Sequence, residues 1–201
     1  MSDPTASLKN IFAKARPDAF FLDAGDQRGL SAYLKSRGWL ARGETVLESR
    51  QAGEGNMNYT LRVITSRRRI IVKQGRPWVE KYAAIAAPWG RTSVEAAFYR
   101  KASSDKELAG RMPRLIGDDA ASQVLALEDL GEASDFTFVY NGARIGQDDW
   151  DFFIDYLKRL HLLPAERSAR SVFSNRAMRH LNCEHIFKLP LAQANGLDLD
   201  R

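Results

Sequence analysis

Apolar positions alternate with polar ones where the chain enters its most regular stretch. Tyr59, Leu61 and Val63 are apolar while Thr60 and Arg62 between them are polar, the period of a strand with one buried face. Residues 44–52 read as a strand before it. "IIVKQ", residues 70–74, reads as a short apolar strand after it, with the polar "SRRR" of residues 66–69 as the turn between them. Residues 44–74 are therefore predicted to form a three-stranded antiparallel meander. "MPRLIGDD", residues 112–119, is predicted as a fourth strand. The very apolar "SQVLALEDLG", residues 122–131, is predicted as a fifth, broken at Gly131.

Elsewhere the rhythm is helical. From Asp26, a good N-cap, Leu30, Tyr33 and Leu34 share a face, and Gly38 stops the helix. Residues 91–104 read as a helix with Val94, Phe98 and the stem of Lys101 on one face. From Asp148, Trp150, Phe153, Ile154, Leu157 and His161 form an amphipathic stripe that ends before Pro164. Residues 75–90, with two prolines and two tryptophans, read as a long connection with a piece of helix inside. Residues 1–25 read as a loose N-terminal segment with a short amphipathic turn near Ile11 and Phe12. The tail from 165 to 201 has helical stretches near 170–187 without a clean boundary. The predicted class is α+β: a five-stranded antiparallel sheet plus one helix over residues 26–131, followed over 132–201 by the beginning of an all-helical lobe, with the boundary near 130–146.

Composition narrows the class. Apolar residues are 44% and charged residues 27% of the chain, the balance of a globular domain and not of a disordered one. No run of apolar residues is long enough to span a membrane and no secretory signal precedes the domain, so a cytoplasmic, membrane-free protein is expected. The net charge of +5, from scattered Lys and Arg, allows an anionic small ligand without demanding one. With one cysteine, Cys183, no internal disulfide is possible, and the three histidines do not cluster with it as a zinc site would require.

The candidate chemistry begins at "GEGNMN": Gly53, Glu54, Gly55, Asn56, Met57 and Asn58. Glycine permits positive φ and close approach of a ligand. Amides at a hairpin tip can point at anionic oxygen, and Asn56 and Asn58 add side-chain donors. The same residues also make an ordinary hairpin turn. Lys73 lies in a strand that otherwise looks buried, where a lysine needs a partner. Glu95, in "RTSVEAAFYR", is a carboxylate that can hold Lys73 against phosphates, or an exposed helix acid pairing with Arg91 or Tyr99. "LALEDLG" ends an apolar strand at Glu128, Asp129 and Leu130, where the backbone of Glu128 and Leu130 can meet an adenine edge.

Taken together, the order of these pieces resembles the nucleotide-binding lobe of the protein-kinase-like fold. Within it the chain resembles the aminoglycoside-phosphotransferase and choline-kinase-like small-molecule kinases, and most nearly the methylthioribose kinases. The likeness is carried by residues 53–58 as a "GxGNxN" loop and by Val72-Lys73-Gln74. The Pro77-Trp78 and Pro88-Trp89 pairs add to it, as does Glu128-Asp129-Leu130 as the hinge. It covers roughly residues 44–131. The resemblance implies an ATP-binding phosphotransferase acting on a hydroxyl of a small acceptor, a methylthioribose-like sugar first among them. It implies that the loop from Gly53 to Asn58 covers the triphosphate of ATP. Lys73 would contact the α- and β-phosphates, Glu95 would position Lys73, and the backbone of Glu128, Asp129 and Leu130 would hold adenine.

One part of the family pattern is missing. The sequence has no His-Gly-Asp catalytic loop and no later Asp to hold Mg2+, which the family uses with ATP. "DLD" near the end and "DFF" at residues 151–153 do not replace them, and His161, His180 and His185 sit in no catalytic constellation. The expectation is a kinase truncated before its catalytic loop, with a protein partner supplying or covering the rest. The alternative is a non-catalytic, pseudokinase-like nucleotide-binding module. Nucleic-acid binding through Arg67, Arg68 and Arg69 is expected least, because no aromatic stacking platform accompanies them.

Overall fold

In the computed structural model, residues 4–53, 57–132, 135–164 and 169–192 are described. The alternating pattern folds as expected into β1 (Val46–Gln51), β2 (Tyr59–Thr65) and β3 (Arg69–Gln74), an antiparallel meander. After an excursion come β6 (Leu115–Asp119) and β7 (Val124–Glu128), and β7 pairs antiparallel with both β3 and β6. The five strands lie in the order β1-β2-β3-β7-β6. The architecture is α+β with a five-stranded antiparallel sheet.

Period 2 decides which face each residue serves. Leu61, Val63, Ile70, Val72, Val124 and Ala126 point to one side, where helix α2 (Gln27–Ser36) covers them with Leu30, Tyr33 and Leu34. The side chain of Asp26 accepts the Gly29 amide at 2.9 Å to start that helix, and Gly38 follows its end with a left-handed φ of 69°. Ile71 and Lys73, in register with Leu127 and Leu125, point to the other side. Helix α3 (Arg91–Ala102) packs there against β6 and β7.

The N-terminal segment is more ordered than its sequence suggests. Helix α1 spans Pro4–Ala15, and Phe12 is buried against the rings of Phe21, Trp78 and Trp89 at centroid distances of 5.2, 6.3 and 6.0 Å. The strap behind it is fixed by a fully buried Gln74, whose Oε1 accepts the Leu22 amide at 2.9 Å and whose Nε2 donates to the Phe20 carbonyl at 2.6 Å. A carboxamide in the core is stable when its groups are paired, and here the pairing ties residues 20–22 to the sheet.

Residues 75–90 hold no helix. They form the hairpin of β4 (Trp78–Val79) and β5 (Tyr82–Ala86), because Trp78 is buried and its neighbours' carbonyls are taken by side chains described below. Helix α3 is half-buried nearly all round, so the expected stripe of Val94, Phe98 and Lys101 does not define its buried face. Arg91, Thr92, Ala96 and Ala102 are the residues it buries. A short helix, α4 (Lys106–Ala109), follows.

Every described element after β7 is helical: a 3-10 turn (Phe136–Asn141), α5 (Gln147–Leu162), α6 (Ala169–Phe173), α7 (Arg176–Asn182) and further turns to Leu191. Among the described residues these helices form no buried cluster of their own. Helix α5 packs through Tyr156 and Leu160, with Leu163 just beyond it, against Ala102, Leu108 and Met112. The expected stripe lies elsewhere on this helix: Trp150, Phe153 and Ile154 are 47%, 38% and 46% exposed. No described helix is long and apolar enough to cross a membrane.

Candidate functional site

Strand β3 and helix α3 bring together the two charged residues that the sequence singles out. Nζ of Lys73 lies 2.9 Å from Oε1 of Glu95, and both side chains are about three-quarters buried, being 28% and 26% exposed. The pairing follows from the pleat. Lys73 is on the α3 side of the sheet, and Glu95 lies one turn into α3. An ammonium emerging from an apolar strand is thereby neutralised by a carboxylate that keeps some access to solvent. Tyr99, one turn further along α3, has its phenol pushed up to about 12 by burial, with the Glu95 charge adding to the effect.

The glycine-rich loop joins β1 to β2. Gly53 opens it with φ of 63°, a left-handed conformation that a side chain would strain. Glu54, Gly55 and Asn56 lie outside the described residues. The loop is closed at its other end by Arg91, the first residue of α3. Its Nε donates to Oδ1 of Asn58 at 2.7 Å and one terminal nitrogen donates to the Met57 carbonyl at 2.8 Å. The remaining N–H groups reach the carbonyls of Arg76 at 2.6 Å, Pro88 at 3.0 Å and Trp78 at 3.4 Å. All five guanidinium donors are used, and no carboxylate pairs with this buried cation among the described ion pairs. Burial without a counter-charge lowers its pKa to about 10, with Glu80 opposing the shift, so it stays protonated at neutral pH.

Arg91 is the residue that sequence reading missed. The sequence offers it only as a partner for Glu95, and the structure turns it away from Glu95 into the hairpin. Its acceptors are four backbone carbonyls and one carboxamide, which leave no recognisable side-chain spacing. Helix α3 is held at the same end by Gln123, which accepts from the Thr92 hydroxyl at 2.8 Å and donates to the Ser93 hydroxyl at 3.0 Å. The base of the helix that carries Glu95 is thus fixed both to the loop and to the residue just before β7.

At the far end of the sheet, Glu128, Asp129 and Leu130 leave β7. The buried carboxylate of Asp129 lies 2.7 Å from Nε of Arg62 and 3.8 Å from Nε of Arg69, and it accepts the Gly131 amide at 2.9 Å. Arg62 also donates to the Gly131 carbonyl at 3.1 Å. Asp129 therefore fixes the path of this turn. The amide of Glu128 donates to the Arg114 carbonyl at 2.9 Å, while Leu130 is exposed and makes no hydrogen bond among the described residues.

Arg67, Arg68 and Arg69 are engaged within the chain. Arg67 donates to the Arg42 carbonyl at 2.9 Å, Arg68 lies 3.1 Å from the buried Glu44 carboxylate, and Arg69 faces Asp129. Among the described residues no group of three or more His, Cys, Asp and Glu is placed to hold a metal ion. No protein-family model matches this chain, and no curated protein matches it significantly.

Proposed function

We propose that the chain is the ATP-binding part of a small-molecule kinase of the protein-kinase-like fold, with residues 26–131 as its nucleotide-binding lobe and the helices after β7 as the start of a second, helical lobe. The observation that carries this reading is the Lys73–Glu95 pair at 2.9 Å, placed between the middle strand of the sheet and the one long helix that separates β3 from β6. The strand order β1-β2-β3-β7-β6 and the glycine-rich β1–β2 loop fit the same lobe. In this reading the loop from Gly53 to Asn58 lies over the triphosphate and Lys73 meets its α- and β-phosphate oxygens. Glu95 keeps the ammonium aimed at them, and the backbone of Glu128, Asp129 and Leu130 receives the adenine edge. The contribution of these groups is positioning and charge neutralisation.

The acceptor in a complete enzyme would be a small hydroxylated molecule, a methylthioribose-like sugar first among the candidates. A second reading, a non-catalytic nucleotide-binding module, is favoured by the lack of a His-Gly-Asp loop in the sequence. The exposed aromatic face of α5 suits a protein partner in either case. Isothermal titration with ATP tests the shared claim: wild type binds, and Lys73→Ala weakens binding by about tenfold or more. ATP binding that ignores Lys73 would remove the basis for both readings. Phosphate transfer to methylthioribose or another alcohol by the 201-residue chain would exclude the non-catalytic one.

A further inference from the structure

The β4–β5 hairpin and the C-terminal helical turns face each other across a cavity of about 510 Å3. That volume is in the range of small-molecule sites. Val79 and Ile85 from the hairpin and Leu181 and Leu189 from the helical turns give it apolar walls. Lys81, Tyr82, Asn182 and His185 bring polar groups to the same space, and among the described residues no acidic one lines it.

The hairpin explains this charge asymmetry. Val79 pairs with Tyr82, so Glu80 and Lys81 are the two residues of the turn. Glu80 is drawn inward, where its carboxylate lies 2.9 Å from the buried Arg76 guanidinium. Lys81 is left exposed, without an ion pair among the described residues. The hairpin wall is also preformed. Arg91 binds the carbonyls of Met57 and Trp78, and Met57 lines the cavity while Trp78 precedes Val79. A wall ordered before the ligand arrives saves the entropy of ordering it on binding.

We propose that this cavity binds a small organic anion with an apolar body. The body lies between Val79, Ile85, Leu181 and Leu189. The anionic head meets the Lys81 ammonium and the N–H of the His185 imidazole, with Tyr82 and Asn182 as neutral hydrogen-bonding groups. Neither Lys73 nor Glu95 lines the cavity, while Met57, from the loop proposed to lie over the triphosphate, does, so the site adjoins the proposed nucleotide contacts without sharing the Lys73–Glu95 pair.

The test uses 8-anilinonaphthalene-1-sulfonate and its uncharged counterpart N-phenyl-1-naphthylamine, titrated into the full chain by fluorescence. The sulfonate binds saturably, about fivefold tighter than the uncharged probe, and Lys81→Ala abolishes that preference. Lys81 is an exposed turn residue, so this variant leaves the fold intact. Ile85→Asp weakens both probes by about tenfold, and Ile154→Asp on the exposed face of α5 leaves both unchanged. Binding that is lost with Ile154→Asp and kept with Ile85→Asp overturns the proposal, as does equal affinity for the two probes. Complete displacement of the sulfonate by ATP also overturns it, because the cavity would then belong to the nucleotide site.

Discussion

Nε of Arg91 donates to Oδ1 of Asn58 at 2.7 Å, joining the end of the glycine-rich loop to the first turn of the helix that carries Glu95. With four carbonyls taking its other donors, this one cation sets the spacing of loop, hairpin and helix. Lysine keeps the charge but offers three donors from a single point, without the planar fork. Arg91→Lys is expected to lose about 3 kcal/mol of stability, seen as a fall in Tm of roughly 6–12 °C. If the loop holds phosphates, ATP affinity also falls while adenosine affinity is unchanged, since only phosphates lie under the loop. Equal loss for both ligands would mean that Arg91 serves stability alone.

Glu95 acts on a nucleotide only through Lys73. Lys73→Ala is expected to weaken ATP binding by about tenfold or more, and Glu95→Gln by less, because the carboxamide still accepts a hydrogen bond from the ammonium. The double variant should bind ATP no more weakly than Lys73→Ala, since residues sharing one interaction are not additive. Titration of the four proteins checks this, and additive losses would place Glu95 in direct contact with the ligand instead.

What the sequence reveals of this arrangement depends on the kind of partner each residue has. The sheet is legible because its signal is local: alternation in β2 and a short apolar run in β3 suffice to place Leu61, Val63, Ile70 and Val72 in one core. The Lys73–Glu95 contact is legible only as a pair, since a lysine in an apolar strand asks for a carboxylate and the intervening helix offers one. The burial of Phe12 is not legible, because its partners Trp78 and Trp89 lie far along the chain. Arg91 is less legible still, because most of its acceptors are main-chain carbonyls, which any sequence provides. In α5 the pattern marks an apolar stripe at Trp150, Phe153 and Ile154 but cannot say what covers it, and the described contacts use Tyr156 and Leu160.

Asp129 holds the turn after β7 through Arg62 and Arg69, with its carboxylate buried and both guanidinium groups partly open to water. Asp129→Asn keeps the shape and removes the charge. The two arginines recover part of their hydration, so the expected loss is about 2 kcal/mol, smaller than for a fully buried pair. Chemical denaturation measures it, and a midpoint unchanged from wild type would show that the turn does not depend on the ion pair. If the backbone of Glu128 and Leu130 receives adenine, the same variant raises the Kd for adenosine.

Acid should unfold the protein through Glu44 and Asp119. Burial alone would raise the Glu44 pKa, but the Thr65 hydroxyl, the Ala41 amide and the Arg68 charge outweigh it and hold the carboxyl below its ordinary value. Asp119 is likewise pushed up by burial and brought below its ordinary value by hydrogen bonds from Tyr33 and Ser122 and by Arg37. A carboxylate whose folded pKa lies below its unfolded one binds more protons when unfolded, so its contribution is complete above the unfolded pKa, about 4, and is lost as pH falls through the folded value. Stability is therefore expected to be flat with respect to these two groups above pH about 5.5 and to decline steadily below pH about 4. Asp119→Asn should lower stability at neutral pH and flatten the acid slope, because one of the two titrating groups is gone. Urea midpoints measured from pH 7 down to pH 3 read both effects, and an acid slope that survives Asp119→Asn unchanged would mean that the Tyr33–Asp119–Arg37 cluster contributes nothing to it.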